Sequence, residues 1–387
     1  MTRRRIVSAR LEPLKWYPQK VYGSSVEGQV ELVENETTDS TRNDIIKNYS
    51  GGIPISKIHG LIKPLRKGYY QVLQDDIGGD APKDFIRVYK HGDAPKESPN
   101  LWDKHIAKVG HKWYPLESIS EHLLNRIGEV LGLNMAKSQL RIAHGQLRFL
   151  SKYFLVAEEN MIHGAQIYST YLEENDDRFV QEIEDQNWAR ALLTFQFTDE
   201  SIKFMFPDQY PIIMNHLVEL LVFDAITGNN DRHFYNWAVI THIEGTNPPR
   251  FSPIYDSARG LFWNLSETVI QRKFYTQRNK KTAINTKNLE TYLHKSRPKI
   301  GWEGWNKSEE INHFQLIAKI NKHYPQHQNT CKSLIKKVNL EAILTLLNSE
   351  FKTYYTPVRF NLIKACLKKR FEILDHLCKS NCYDQPN

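Results

Sequence analysis

The stretch NNDRHFYNWAVITHIEGTNPPRFSPIYD, residues 229–256, decides how this chain is read, because it sets Asp231, Asn236 and Asp256 on one loop and strand pair. Upstream, Ile212, Ile213, Leu217, Leu220, Leu221, Phe223 and Ile226 recur at helical spacing and stop at Gly228. That spacing predicts a buried helix delivering the loop from a fixed direction. Residues 237–242 read as a strand, 244–249 as a turn, and 250–255 as a second strand ending at Asp256. A hairpin of this kind returns Asp256 to the neighbourhood of Asn236.

Three oxygen-bearing side chains so arranged match the needs of phosphoryl transfer to a hydroxyl. The reaction requires an acceptor for the hydroxyl proton, an oxygen-rich Mg2+ site and positive charge on the phosphates, with positioning supplying most of the catalysis. Asp231 suits the first role. Asn236 and Asp256 suit a sparse Mg2+ shell completed by nucleotide phosphates and water, and His233 can hydrogen-bond to orient the loop. Taken singly, Asn-Asn-Asp is ordinary turn chemistry and a Tyr-Asp pair an ordinary strand end. The ordered combination D-R-H-x-x-N, hairpin, Y-D carries the signal.

These residues resemble a known family. Asp231-Arg-His-x-x-Asn236 is similar to the D-x-H-x-x-N loop of HipA-like serine/threonine kinases and to the D-R-H-x-x-N loop of phosphoinositide lipid kinases. Pro253-Ile-Tyr-Asp256 resembles the P-x-Y-D metal site of the HipA group, which is the nearer match. The resemblance implies an α+β, two-lobed, protein-kinase-like fold with a small β-rich N-lobe and a mainly helical C-lobe. It also implies ATP and Mg2+ as cofactors, a protein Ser/Thr acceptor, a toxin-like or effector-like role, and a capacity for autophosphorylation.

A kinase also needs a glycine loop, a strand lysine and a helix glutamate, in that order. Residues 69–74 read as a strand, 75–83 as a turn holding Gly78, Gly79 and Lys83, and 84–90 as an alternating strand ending at Lys90. Glycines let backbone N–H groups approach phosphate closely. Gly79-Asp-Ala-Pro-Lys83 is similar to the G-x-x-P-K loop of HipA-like kinases, although Asp75 or Asp76 stands where some of them carry a regulatory serine. Lys90 is expected to meet the nucleotide phosphates. Ile119, Leu123, Leu124, Ile127 and Leu131 form a helical stripe, with Ser118 or Ser120 as its cap and Glu121 in its first turn. The resemblance pairs Glu121 with Lys90. Residues 138–143 and 146–156 flank His144-Gly145 as a hairpin, and Ser151, Lys152 and Tyr153 are the expected adenine hinge.

The domain division that follows is an appendage at 1–65, an N-lobe at 66–155 and a helical C-lobe at 156–387. Apolar content of 40% and charged content of 25% are those of an ordinary soluble protein, with no integral membrane association expected. Charge at Arg3, Arg4 and Arg5 is followed by no apolar core, so a cytoplasmic location is the default, with a secreted effector as the other possibility. The 4 cysteines lack a metal spacing and are expected to be reduced thiols. Residues 270–387 carry 22 Lys and Arg against 9 Asp and Glu. That basic end is either the solvated face of terminal helices or a contact for nucleic acid or an antitoxin. Residues 272–299 read as an exposed loop region able to hold a substrate. Two further readings stay open: a phosphoinositide lipid kinase, and a catalytically inactive nucleotide-binding or nucleic-acid-binding regulator.

Overall fold

The computed structural model describes residues 60–73, 83–110, 116–143, 146–174, 178–186, 188–278, 281–305 and 310–379. The expectations for residues 1–59, for Gly78 and Gly79, and for the His144-Gly145 turn lie outside them.

The N-terminal half begins with strands β1 (Tyr70–Val72), β2 (Lys83–Val88) and β3 (Asp103–Val109), followed by helix α1 (Glu117–Val130) and strands β4 (Ser138–Ala143) and β5 (Gln146–Lys152). They form a 5-stranded antiparallel sheet in the order β1-β2-β3-β5-β4. Strands β4 and β5 pair as the sequence pattern expects, with β5 ending at Lys152 rather than at 156, and β2 spans 83–88 rather than 84–90.

The central strand β3 does not come from that pattern. In DKHIAKV the inward residues are His105, Ala107 and Val109, a weak apolar set in a segment that also holds Asp103, Lys104 and Lys108. Such a segment acquires strand character by pairing on both edges, with β2 and β5, rather than from its own propensity.

Helix α1 lays Ile119, Leu123, Leu124 and Ile127 into the core, as its periodicity requires. It starts two to four residues earlier than expected. Leu116 is the N-cap residue, and Ser118 and Ser120 are buried inside the helix rather than capping it.

The chain continues through β6 (Glu159–His163) and helices α2 (Gly164–Tyr171), α3 (Arg178–Asp185), α4 (Ala189–Leu192), α5 (Phe195–Met205) and α6 (Tyr210–Thr227). Helix α6 is the axis of the C-terminal half, and twelve of its residues, from Ile213 to Thr227, are buried. It is also long and apolar enough to span a membrane, the one such helix among the described residues, but 67% of it is packed inside the protein. An all-round apolar helix is what a core axis requires. It stops at Gly228, whose φ of 70° is left-handed and whose N–H donates to Asp224 O at 2.7 Å.

After α6 come β7 (Ala238–His242) and β8 (Arg250–Phe251), which complete a 3-stranded sheet in the order β6-β7-β8. The second strand is much shorter than the 250–255 run expected. Pro253 has no N–H to continue the ladder, so the chain leaves the sheet there. It crosses instead to the segment after α1: Ile254 N donates to Asn134 O at 2.7 Å, and Ala136 N donates to Ile254 O at 2.9 Å. The segment approaching Asp256 is thereby stitched to the N-terminal half.

Residues 272–299 are not a loop. They form the end of α7 (Glu267–Phe274), a hairpin of β9 (Tyr275–Arg278) and β10 (Lys281–Ile284), and α8 (Thr286–His294). Ser266 and Asn285 cap the two helices through their side chains, and Leu289 and Leu293 bury one face of α8. Four further helices close the fold: α9 (His313–His323), α10 (Gln328–Leu334), α11 (Lys337–Leu346) and α12 (Pro357–Lys379). Part of the basic C-terminal charge points inward. Arg359 is 1% exposed and binds Glu267 and the Phe262 and Leu265 carbonyls, and Arg370, also 1% exposed, donates to Ala225 O at 2.7 Å. Cys331, Cys366 and Cys378 are buried free thiols.

Gly228 is required twice over, because a Cβ there would lie 2.5 Å from Arg370 Nη2. We expect Gly228→Ala to lower the unfolding free energy by about 1–3 kcal/mol in a urea titration, with the far-ultraviolet circular dichroism of the folded state retained.

Candidate active site

The loop that follows Gly228 is built around the side chain of Arg232, which is 2% exposed. Its Nε donates to Asp224 Oδ2 at 3.0 Å and its Nη2 to Asp224 Oδ1 at 3.1 Å, a bidentate pair back onto α6. Nη1 donates to the carbonyls of Asn236 at 2.9 Å and Tyr255 at 2.7 Å, and Nη2 also reaches Ser257 Oγ at 2.7 Å. One guanidinium thus ties together the axial helix, the far end of the loop and the segment on either side of Asp256. Burial pushes the Asp224 carboxyl up, while Arg232 and the Asn229 amide, 3.0 Å away, favour its ionised form.

Within this frame the loop closes on itself. His233 N donates to Asp231 O at 2.9 Å, Asn236 N donates to His233 O at 2.9 Å, and Asn236 Nδ2 donates to Asp231 O at 2.8 Å. His233 Nδ1 accepts from Tyr235 N at 3.3 Å. The Tyr255 hydroxyl donates to Tyr235 O at 2.9 Å, which joins the loop to the P-x-Y-D segment a second time. Asp231 is a quarter exposed and lies 3.1 Å from Arg259 Nη1.

Asp256 adopts a φ of 52°, a left-handed conformation that costs a non-glycine residue energy. The carboxylate meets Lys108, not Lys90. Lys108 Nζ lies 2.8 Å from Asp256 Oδ1 and 2.5 Å from Glu121 Oε1. Its side chain is 14% exposed, Glu121 is 5% exposed, and Asp256 is half open to the cleft. The pairing of a strand lysine with Glu121 is therefore present, but with a different lysine.

Lys90 lies beyond the end of β2, 72% exposed, and binds Asp93 at 2.8 Å. The physical reason is the unrecognised strand: β3 occupies the centre of the sheet, facing α1, and β2 is displaced one position outward. The alternation His105, Ala107, Val109, which sets Lys108 on the opposite face of β3, was the available signal.

One ammonium between two carboxylates cannot fully compensate both. Burial would raise the Asp256 carboxyl, but the charge and hydrogen bond of Lys108 outweigh it and hold Asp256 well below the usual carboxylate range. Glu121 takes the opposite course: burial, reinforced by the neighbouring Asp256 charge, pushes it up to about 8 against the pull of Lys108. Lys108 itself is raised, since its two acidic partners overcome its burial.

The other expected nucleotide contacts divide. Lys83 stands directly opposite Lys108 in the β2–β3 register, and its charge acts on Asp256. Ser151, Lys152 and Tyr153 lie at the end of β5 and just past it. The Lys152 amide donates to Lys137 O at 2.7 Å and the Tyr153 amide to Lys104 O at 2.9 Å, so both are spent within the N-terminal half. Asn236 and Asp256 are suited to a hard divalent cation. The Asn236 NH2 is committed to Asp231 O, which leaves the amide oxygen to accept, and Asp256 offers an ionised carboxylate. Among the described residues no group of three His, Cys, Asp or Glu forms a protein-only metal cage. Mg2+ bound chiefly by phosphates and water needs none.

Comparison with known proteins now bears on this geometry. A family model described as the HipA-like C-terminal domain matches residues 76–338. The chain belongs to that family.

Among solved structures, the crystal structure of a Helicobacter pylori proinflammatory kinase, CtkA, is similar with a TM-score of 0.62 and 13% identity. That match covers 80% of this chain and 96% of the other. The fold of this HipA-like chain is accordingly kinase-like. HipA from the Shewanella oneidensis MR-1 toxin–antitoxin system, in complex with HipB and operator DNA, also matches, with a TM-score of 0.43 and 13% identity over 82% of this chain and 68% of that one. A search of the curated proteins gave no match.

Removing Arg232 leaves Asp224 as a buried charge without a cationic partner. We expect Arg232→Met to cost about 3–5 kcal/mol of unfolding free energy in urea titration, whereas Lys90→Ala leaves the urea midpoint unchanged.

Proposed function

We propose that this chain transfers the gamma-phosphoryl group of ATP to a serine or threonine hydroxyl of a protein, its own chain included. What supports the reading is that one buried arginine joins two sets of groups: Lys108, Glu121 and Asp256 in one ion-paired cluster, and the Asp231–Asn236 loop. Arg232 holds the second set to the first through Tyr255 O and Ser257 Oγ.

Each group has a role suited to its chemistry. Lys108, tethered by Glu121, presents a compact positive charge to the nucleotide phosphates, helped by Lys83 across the strand pair. Asn236 and Asp256 hold Mg2+, which supplies charge neutralisation on the phosphates when bound. Asp231 accepts the proton of the acceptor hydroxyl as its oxygen attacks the gamma-phosphorus. The bond from that phosphorus to the bridging oxygen breaks, and ADP leaves with the electron pair. With the Lys152 and Tyr153 amides engaged in the sheet, adenine is read by the backbone that follows Tyr153.

The test is mass spectrometry of the native chain after incubation with Mg-ATP, alone, with a mixture of Ser/Thr-containing proteins, and with phosphoinositide vesicles. Phosphate is expected on protein hydroxyls, falling by about a hundredfold or more in Asp231→Ala, Asp256→Ala and Lys108→Met and little changed in Lys90→Ala. Transfer to the vesicles instead of protein would identify a lipid kinase, and equal transfer by native and Asp231→Ala protein would overturn the site.

A further inference from the structure

We infer that Arg259 is a positioning residue, which holds the Asp231 carboxylate in place and links it to helix α1. The inference rests on the phosphotransfer reading and adds to it a device that controls the proton-accepting side of the site.

The geometry begins with the backbone. Arg259 O accepts the Asn230 N–H at 3.3 Å, immediately before Asp231. The next residue, Gly260, is pressed so closely on the end of α6 that a Cβ would lie 2.7 Å from Thr227 O. The arginine therefore springs from a point fixed against the catalytic loop on both sides. Its guanidinium lies 5.3 Å above the Trp263 ring, a stacking surface that limits where the group can swing.

From that anchored position the guanidinium meets two carboxylates. Nη1 lies 3.1 Å from Asp231 Oδ1, and Nε lies 3.9 Å from Glu117 Oε1. Engaging one Asp231 oxygen leaves the other for the acceptor hydroxyl, which selects one carboxylate orientation out of the range a free aspartate samples. A catalytic group held this way requires no reorientation when the acceptor arrives.

The second contact gives the arrangement its reach. Glu117 and Glu121 are four residues apart on α1 and so share one face of the helix. Glu121 runs to Lys108 on the phosphate side, and Glu117 runs to Arg259 and through it to Asp231 on the acceptor side. A single helix therefore bears on both halves of the reaction. A shift of α1 away from the cleft withdraws the lysine tether and the support of the proton acceptor together.

A charge this close to Asp231 could also act only on folding, so the test separates positioning from stability and from nucleotide binding. Phosphoryl transfer to myelin basic protein is measured for the native chain, Arg259→Gln, Arg259→Lys, Glu117→Gln and the Arg259→Gln/Glu117→Gln pair, alongside Mg-ATP affinity and thermal unfolding. We expect Arg259→Gln to lower the turnover number by about ten- to a hundredfold with Mg-ATP affinity within about twofold of native. Arg259→Lys should recover part of the loss. Glu117→Gln should cost less, and the double variant no more than Arg259→Gln alone, since both act on one chain of contacts.

Undiminished turnover in Arg259→Gln overturns the inference, as does a loss that parallels weakened Mg-ATP binding or a lowered unfolding temperature. No phosphate on myelin basic protein or on the native chain itself would overturn the phosphotransfer reading, and this inference with it.

Discussion

The buried pair of Arg232 and Asp224 is the interaction on which the rest of the site depends. Its Coulombic attraction alone would not repay the desolvation of two charges. What makes it viable is complete use of the guanidinium: the bidentate carboxylate, two backbone carbonyls and the Ser257 hydroxyl take up its donors. Because those acceptors belong to α6, the Asp231–Asn236 loop and the segment around Asp256, satisfying the arginine and assembling the site are the same event. The apolar helix α6 supplies the fixed reference, since its buried length cannot slide without opening the core.

Around that frame the charges are arranged so that none is fully at rest before a nucleotide arrives. Lys108 serves two carboxylates, Asp256 keeps its charge and Glu121 is driven towards its neutral form. In the proposed reaction a divalent cation would take over Asp256, and Lys108 would divide its charge between Glu121 and the phosphates. The left-handed backbone at Asp256 and the missing N–H of Pro253 bring that carboxylate to the lysine, by turning the chain out of the C-terminal sheet and onto the segment after α1.

Much of this was legible in the amino-acid order because the signals are local. The helix ending at Gly228, the D-R-H-x-x-N loop, the Y-D pair and the stripe of α1 each lie within a window where periodicity, capping and turn chemistry act, and the HipA-like family follows from them. Arg232 lay inside the motif, but nothing local distinguishes a buried hub from a solvated loop arginine. The stretch at 272–299 misled for a related reason: it is rich in Lys, Asn and Thr, yet two side-chain caps and the apolar spacing of Leu289 and Leu293 suffice to order it against the C-terminal helices.

The lysine marks the boundary most clearly. The short-range pattern of the chain put Asp231 and Asn236 on one loop and Asp256 after the following strand, and its resemblance to the HipA group carried the expectation that a glutamate on α1 would meet a strand lysine. Only the tertiary structure decided which of 52 lysines and arginines that lysine is. Strand β3 becomes a strand through its pairing with β2 and β5, and the pleat then points Lys108 at Glu121 while Lys90 runs off the sheet edge into solvent. A side chain's pattern along the chain records what its neighbours in sequence require. Its charge partners are chosen by strands that meet only after the chain has folded.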